Sequence, residues 1–394
     1  MRRFAILLMV VVAACSAPPP TTTTAPAPGG ATVPDGPFSV ILFIGDGAGV
    51  PQWSAAAHSA SGLSIRSFPV VGLVDTRASN SRVTDSAAGA TAFAAGVRTY
   101  NGAIGVAADS TPVRTVLELA ESRRMSTGLV ATSTLTHATP ASFAAHVPSR
   151  ALHMEIAADM AEQDIEVLLG GGLRYFDPAQ RPDGKDLLGR ITRDAAYVTT
   201  PEAFRALDLD TITALVGLFA ADNPPPAASR SPSLAELTRG ALDVLEKDEH
   251  GFFLMVEGSQ IDWRAHENAT IHEVIAEVLD FDFAIREALR FQEERRGNTL
   301  IVVVADHETG GLSLHGDAMG VFGAHYTTEG HTAEMVPLFA AGPGAEAFGG
   351  VRDNDAVGRL LLELVDGGGP ERARTGASTA AGTEWNPSSQ LPRP

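Results

Sequence analysis

The segment SVILFIGDG, residues 39–47, sets the architecture. Five successive apolar residues, Val40 to Ile44, leave no polar face, which predicts a strand covered on both sides. The run ends at Gly45 and gives way to Asp46-Gly47, an acid in a turn. The same layout recurs twice: Thr299 to Ala305 runs into Asp306-His307, and Phe252 to Val256 runs into Glu257-Gly258-Ser259. Further apolar runs stand at 126–132, 167–169, 212–218 and 335–341. Between the runs lie segments with helical spacing at Leu234 to Leu245, Ile271 to Leu289 and Val357 to Val365. In the second of these, Ile271, Val274, Ile275, Val278, Ile285 and Leu289 share one face. Strand alternating with helix predicts an α/β fold with a mainly parallel sheet. Asp46, Glu257, Asp306 and His307 then fall where strands end, the place where sites in such sheets assemble. Any one of these acids alone reads as a helix cap or turn residue. Four together suggest one site for a polyvalent metal.

The chain has 394 residues, 44% hydrophobic and 19% charged, a composition with ample material for a core. Its 47 acidic and 29 basic residues give a net charge of −18. That balance excludes a general nucleic-acid binder, which needs cations against phosphates. It does not exclude small phosphate-bearing substrates, since a bound metal inverts the local field. A single cysteine excludes an intrachain disulfide framework and cysteine-rich zinc modules, so any metal must sit on His, Asp and Glu. That cysteine, Cys15, follows Arg2-Arg3, the apolar run Phe4 to Val12 and Ala13-Ala14. The run is too short to span a membrane. The layout resembles a bacterial lipoprotein signal, with residues 1–14 removed and Cys15 lipidated; an ordinary cleaved signal is the plainer alternative. Removing Arg2 and Arg3 takes the charge from −18 to −20. The Pro/Thr/Ala/Gly-rich residues after Cys15, up to Pro37, read as a flexible linker. Residues 38–366 read as one catalytic domain and 367–394 as a flexible tail. The expected place is an exported, membrane-anchored protein on the periplasmic or extracellular face.

Asp262 and His266 are four apart in SQIDWRAHEN, a spacing that puts both on one helix face, able to grip one metal. His331, in Glu-Gly-His-Thr, is a loop histidine. With Asp306 and His307 they form a set suited to Zn²⁺ or Mg²⁺. In TDSAAGATAFAAG, residues 84–96, Ser86 falls at a predicted helix start, where free N–H groups favour an anion. The tiny residues after it suggest close approach of a ligand. No Gly-x-Ser-x-Gly elbow surrounds it, so a metal is the natural activator.

Six stretches in this order resemble the alkaline phosphatase family and span nearly the whole globular part: FIGDGAG at 43–49, TDSAAGATAFAAG at 84–96, THATPASFAAHVPSR at 136–150, VEGSQIDWRAHEN at 256–268, VVADHETGGL at 303–312 and EGHTAEMVPLFAAGPGAE at 329–346. The resemblance implies a three-layer sandwich, a mostly parallel central sheet with helices on both faces. It implies two Zn²⁺ and one Mg²⁺. By position it gives Asp46 as the bridge between one zinc and the magnesium, and Ser86 as the nucleophile that becomes phosphoserine. Thr139 and Glu257 would bind magnesium. Asp262, His266 and His331 would bind the first zinc, and Asp306 and His307, with Asp46, the second. Arg150 would grip phosphate oxygens through its planar fork, oriented by Asp85. Two positions depart from the enterobacterial pattern: His137 stands where that branch has aspartate, and Trp263, on the substrate side, where it has lysine. Contact of His137 with the metal, its waters or only the phosphate stays open.

The implied reaction is hydrolysis of phosphate monoesters, with Ser86 attacking phosphorus in line. The alternatives are a phosphodiesterase or sulfatase of the same superfamily, or a non-catalytic zinc- or phosphate-binding lipoprotein. Diesterases often use Thr as nucleophile, and sulfatases need a modified Cys or Ser in a Cys/Ser-x-Pro-x-Arg context; neither surrounds Ser86. The expected partners are small phosphate monoesters and, through Cys15, a membrane. The resemblance leaves a homodimer open.

Overall fold

The computed structural model describes residues 37–294, 298–318 and 321–367. The expected signal peptide, Cys15, the linker as far as Gly36 and the tail beyond Gly367 lie outside the described residues.

Twelve strands are described: β1 (Ser39–Gly45), β2 (Val70–Asp75), β3 (Ser126–Thr134), β4 (Val167–Gly171), β5 (Ala196–Val198), β6 (Leu215–Leu218), β7 (Phe252–Gly258), β8 (Thr299–Val304), β9 (Ser313–Ala318), β10 (Val321–His325), β11 (Val336–Ala341) and β12 (Gly350–Asp353). The helices are α1 (Val50–Ser59), α2 (Ser86–Ala95), α3 (Val116–Ser122), α4 (Ala138–Ala144), α5 (His153–Met160), α6 (Leu187–Ile191), α7 (Pro201–Arg205), α8 (Leu234–Leu245), α9 (Gln260–His266), α10 (Ile271–Glu294) and α11 (Asn354–Val365).

Ten strands form one sheet in the order β12-β2-β11-β8-β1-β7-β3-β4-β6-β5, and β9 pairs with β10 in a separate hairpin. Within the large sheet only β11 runs against its neighbours. Every residue of β1, β7 and β8 is buried, as their unbroken apolar runs require. Adjacent side chains of β7 display the two covered faces. Phe252 packs edge-on against Phe291 of α10, with centroids 5.7 Å apart, while Phe253 stacks on Phe143 of α4 at 5.9 Å. Helices α1, α8 and α10 pack together on the first face, and α2, α3, α4 and α11 on the second.

Some elements differ from the sequence reading. β2 was invisible to a search for continuous apolar runs because its burial alternates, with Val71 and Leu73 facing outward. The expected strand at 212–218 begins only at Leu215, after a 3-10 turn at Leu209–Thr211. The motif-poor stretch 175–232 supplies β5 and β6, which complete one edge of the sheet.

Registry places the site. Ile44 of β1 pairs with Val304 of β8 on one side and with Glu257 of β7 on the other. Asp46 and Asp306 each lie two residues past that pair, so they leave the sheet at one level and on one side.

Candidate active site

The four adjacent strands β8, β1, β7 and β3 deliver Asp306, Asp46, Glu257 and the His137–Thr139 turn to one end of the sheet. Glu257 belongs to β7 itself rather than following it. Asp46, Thr139, Glu257, Asp306 and His307 have no exposed surface. Gly47 makes the sharp turn after β1 at φ 71°, and its N–H donates to Asp306 Oδ1 at 3.2 Å. A Cβ there would lie 2.8 Å from Thr309 Oγ1 and 2.9 Å from Asp262 Cα, so glycine is required twice over.

Ser86 is the first residue of α2, and its Oγ lies 3.3 Å from His307 Nε2 and 3.4 Å from Asp46 Oδ2. Asp85 caps the helix, accepting from Ala88 N at 3.0 Å. The same carboxylate accepts from Gly102 N and from Arg150 Nη1, both at 3.0 Å. The tiny residues of α2 do not open space for a ligand. All ten residues of the helix are buried, and Gly89 sits so close to Asp306 that a Cβ would meet its Cβ at 3.1 Å. They let α2 wedge between the Asp306 turn and α11, where a Cβ on Gly358 would lie 2.1 Å from Ala92 O.

Among the described residues, three clusters bring atoms able to ligate a metal within 4.8 Å of one another: Asp262, His307 and His331; Asp46, Asp306 and His307; Asp46, His137 and Glu257. His266 joins the first, its Nε2 3.2 Å from Asp262 Oδ1 and 3.0 Å from His331 Nε2. His266 Nδ1 meets Glu329 O and His331 Nδ1 meets Thr84 O. A carbonyl only accepts, so both Nδ1 atoms carry a proton, and with neutral rings both Nε2 lone pairs would face each other. Such a pair needs a proton or a metal cation between them.

The orphaned atoms tell the same story. Asp46 Oδ1, Asp306 Oδ2, Glu257 Oε1, Thr139 Oγ1 and His137 Nδ1 are buried without a hydrogen-bond partner. Buried polar atoms are seldom left so, and the four oxygens fit hard or borderline divalent cations. Burial and the neighbouring acids push Asp46 well above the usual carboxylate range, and burial with the Asp262 charge lifts Asp306 to about 7. Burial lifts Glu257 to about 7 as well. Asp262 goes the other way: burial opposes its charge, but hydrogen bonds from His266 and His331 outweigh that and hold it low. Its hydrogen bond in turn raises His266 to about 9.

Burial and the Arg150 charge lower His137 to about 3, so it is neutral. Arg150 Nη2 lies 3.3 Å from His137 Nε2, and guanidinium only donates. That places the proton of His137 on Nδ1, 4.0 Å from Glu257 Oε1. Trp263 sets its ring edge-on to His137, with centroids 5.7 Å apart. Every site residue expected inside the domain thus converges here.

Sequence reading missed several supports. Ser133 donates to Glu257 Oε2 at 3.2 Å. Glu308, buried, accepts from Gln52 Nε2, Leu312 N and Thr332 Oγ1, pinning the loop that carries His331. Thr309 touches both His307 and Asp262. Glu308 and Thr309 had only their place just after Asp306-His307 as a signal, and Ser133 had none.

The alkaline phosphatase family model matches residues 39–325. Alkaline phosphatase 4 of Bacillus subtilis (strain 168) is 39% identical over 70% of this chain, which spans 62% of that relative's length. Alkaline phosphatase 3 of the same organism is 33% identical over 83% of this chain and 88% of its own length. The solved alkaline phosphatase of the Antarctic bacterium TAB5 superposes with a TM-score of 0.78, at 41% identity over 84% of this chain and 98% of that one. A histidine-to-aspartate mutant of that enzyme, solved with Mg bound in the M3 site, superposes at 0.77 with 41% identity over the same 84% and 98%.

Proposed function

We propose, since this chain belongs to the alkaline phosphatase family, that it hydrolyses phosphate monoesters through a phosphoserine on Ser86. The observation that carries this reading is the position of Ser86 Oγ, 3.3 Å from His307 Nε2 and 3.4 Å from Asp46 Oδ2 at the opening of α2. Asp262, His266 and His331 would hold one zinc, and Asp46, Asp306 and His307 the other. Asp46, Thr139 and Glu257 would hold magnesium. His137, with its proton on Nδ1, would reach that ion through water. When bound, the metals supply Lewis acidity that lowers the pKa of the serine hydroxyl and offsets phosphate charge.

The chain's own residues do the rest. Arg150, held by Asp85, lays a donor fork on the non-bridging oxygens. Ser86 Oγ attacks phosphorus in line; the bond to the alcohol oxygen breaks as the serine ester forms. The alcohol departs with a proton. Water then attacks the same phosphorus, returning free Ser86 and inorganic phosphate. Trp263 sits beside His137 at the rim and bears no charge, so it does not hold the departing dianion as a lysine would.

The test is turnover of p-nitrophenyl phosphate against bis-p-nitrophenyl phosphate, with and without chelator. Monoester turnover abolished by chelation, and by Ser86→Ala, is expected. Preference for the diester would make it a phosphodiesterase, and zinc binding without turnover a binding protein.

We also propose that Cys15 carries a lipid which tethers the domain to a membrane on the exported side. Cys15→Ser should shed the protein from membranes or leave it unprocessed. A homodimer is the assembly we favour. Val50, Trp53, Ala57, Val71, Leu73, Phe339 and Val351 line a groove with no charged side chain, beside the edge strand β12. On a chain of net charge −18, an uncharged patch is where a second copy can approach without repulsion. Light scattering on wild type and Val351→Glu tests this: a wild-type monomer rejects it.

A further inference from the structure

Thr309 stands three residues past Asp306 and is fully buried. Its backbone is fixed independently of its hydroxyl. It forms a bridge with His331, and its carbonyl accepts from Gln52 Nε2 at 2.8 Å. The hydroxyl sits in a slot left by Gly47, where any Cβ would come within 2.8 Å of it. Two polar atoms meet it there: Asp262 Oδ1 at 2.5 Å and His307 Nδ1 at 3.2 Å. Asp262 Oδ1 already faces His266 Nε2 and His331 Nε2 at 3.2 and 3.5 Å. A carboxylate in that company accepts, so Thr309 gives it the one proton it has. The hydroxyl then has only lone pairs for His307, so His307 Nδ1 must carry a proton and donate. That leaves His307 Nε2 as a lone pair, facing Asp306 Oδ2 at 3.3 Å and Asp46 Oδ1 at 3.4 Å.

We infer that Thr309 is a positioning residue that couples the two zinc pockets: one hydroxyl fixes the tautomer of His307 in one and the carboxylate of Asp262 in the other. Neither ligand can turn without breaking the hydrogen bond that orients its counterpart. This rests on the metal reading above, but it concerns a residue that touches neither Ser86 nor the phosphate.

Chelator competition on the zinc-loaded protein tests it. Thr309→Val keeps the shape and loses the hydroxyl; Thr309→Ser keeps the hydroxyl. Valine should weaken both zinc ions, each by about 10- to 100-fold, the usual loss when an outer-shell partner of a ligand is removed. Serine should hold both as wild type does. Valine with wild-type zinc affinity, valine that weakens one ion alone, or serine as weak as valine would each overturn the coupling. A readout that needs no variant is histidine ¹⁵N–¹H NMR of the wild-type protein: His307 protonated on Nδ1 is expected, and protonation on Nε2 instead refutes the relay. A wild-type chain that takes up no zinc fails at the earlier reading, whereas one that takes up two and is indifferent to valine fails at this one.

Discussion

The Asp85 carboxylate accepts from Ala88 N, Gly102 N and Arg150 Nη1, so one side chain both starts α2 and aims Arg150, the arginine proposed to grip phosphate. Asp85→Asn keeps an N-cap but loses the charge opposite Arg150. It should therefore leave the melting temperature nearly unchanged while weakening phosphate inhibition. Arg150→Ala should go further: losing a hydrogen bond to a charged group costs about 1.5–3 kcal/mol, so the inhibition constant for inorganic phosphate should rise about 10- to 100-fold. Phosphate inhibition unchanged by alanine would remove Arg150 from the binding role. At this scale the sequence was most legible, because ligand chemistry is confined to few residue types and these lie next to strand ends. Ser133, Glu308 and Thr309 were not legible. Their role depends on which neighbour a hydroxyl or carboxylate meets in space, and no spacing encodes that.

Helix α2 carries Ser86 and is packed without slack between the Asp306 turn and α11. Gly358→Ala would drive a methyl group toward Ala92 O, 2.1 Å away, and Gly96 N, 2.8 Å away. Overpacking of this kind costs about 1–3 kcal/mol, more than alanine returns in helix propensity. A lower urea midpoint with unchanged slope is expected, and an unshifted midpoint would mean that α11 yields freely. Helix α3 offers a pH-dependent test. Thr115 and Glu118 form its capping box, and His146 Nε2 meets Glu118 Oε1 at 2.8 Å. The hydrogen bond to Glu118 raises His146; burial opposes the Glu118 charge, but bonds from His146 and Thr115 N hold it below its usual value. The histidine contributes stability below about pH 6.5, lost as pH rises through its folded pKa. The glutamate contributes above about pH 4.5, lost as pH falls through its own. His146→Gln should therefore cost more stability at pH 6 than at pH 9; equal costs would show that the charge on the ring is irrelevant. Among elements, the buried strands were readable because both faces are apolar. β2 and β12 were not, since one side of β2 faces outward and β12 is four residues long.

For the whole molecule, the metal pocket concentrates acids in a chain that is already strongly negative. Asp46, Asp306 and Glu257 are held above their ordinary values, burial being the first cause in each case. Without metal, Asp306 and Glu257 favour the fold below about pH 4, and that contribution is lost as pH rises through about 7; Asp46 shifts in the same direction. His266 and His331, raised by Asp262, shift in the same direction. His137 and His307, lowered first by burial, oppose it only below about pH 6.5. The chelated protein should thus melt lower at pH 8 than at pH 6, and added zinc and magnesium should raise the melting temperature most at pH 8. A metal effect of equal size at both values would contradict this.

The sheet order carries a consequence for how the protein is made. β1 lies between β7 and β8, and Gly47 hydrogen-bonds to Asp306 across 259 residues of chain. A ribosome therefore releases Asp46 and Ser86 long before their counterparts exist. No nascent fragment ending before Thr299 has a neighbour on the β8 side of β1, and none ending before His331 completes the Asp262, His266 and His331 cluster proposed for zinc. The two pockets proposed for zinc are thus completed only once Asp306, His307 and His331 have been made, whereas Asp46, Thr139 and Glu257, proposed for magnesium, are all present by residue 257.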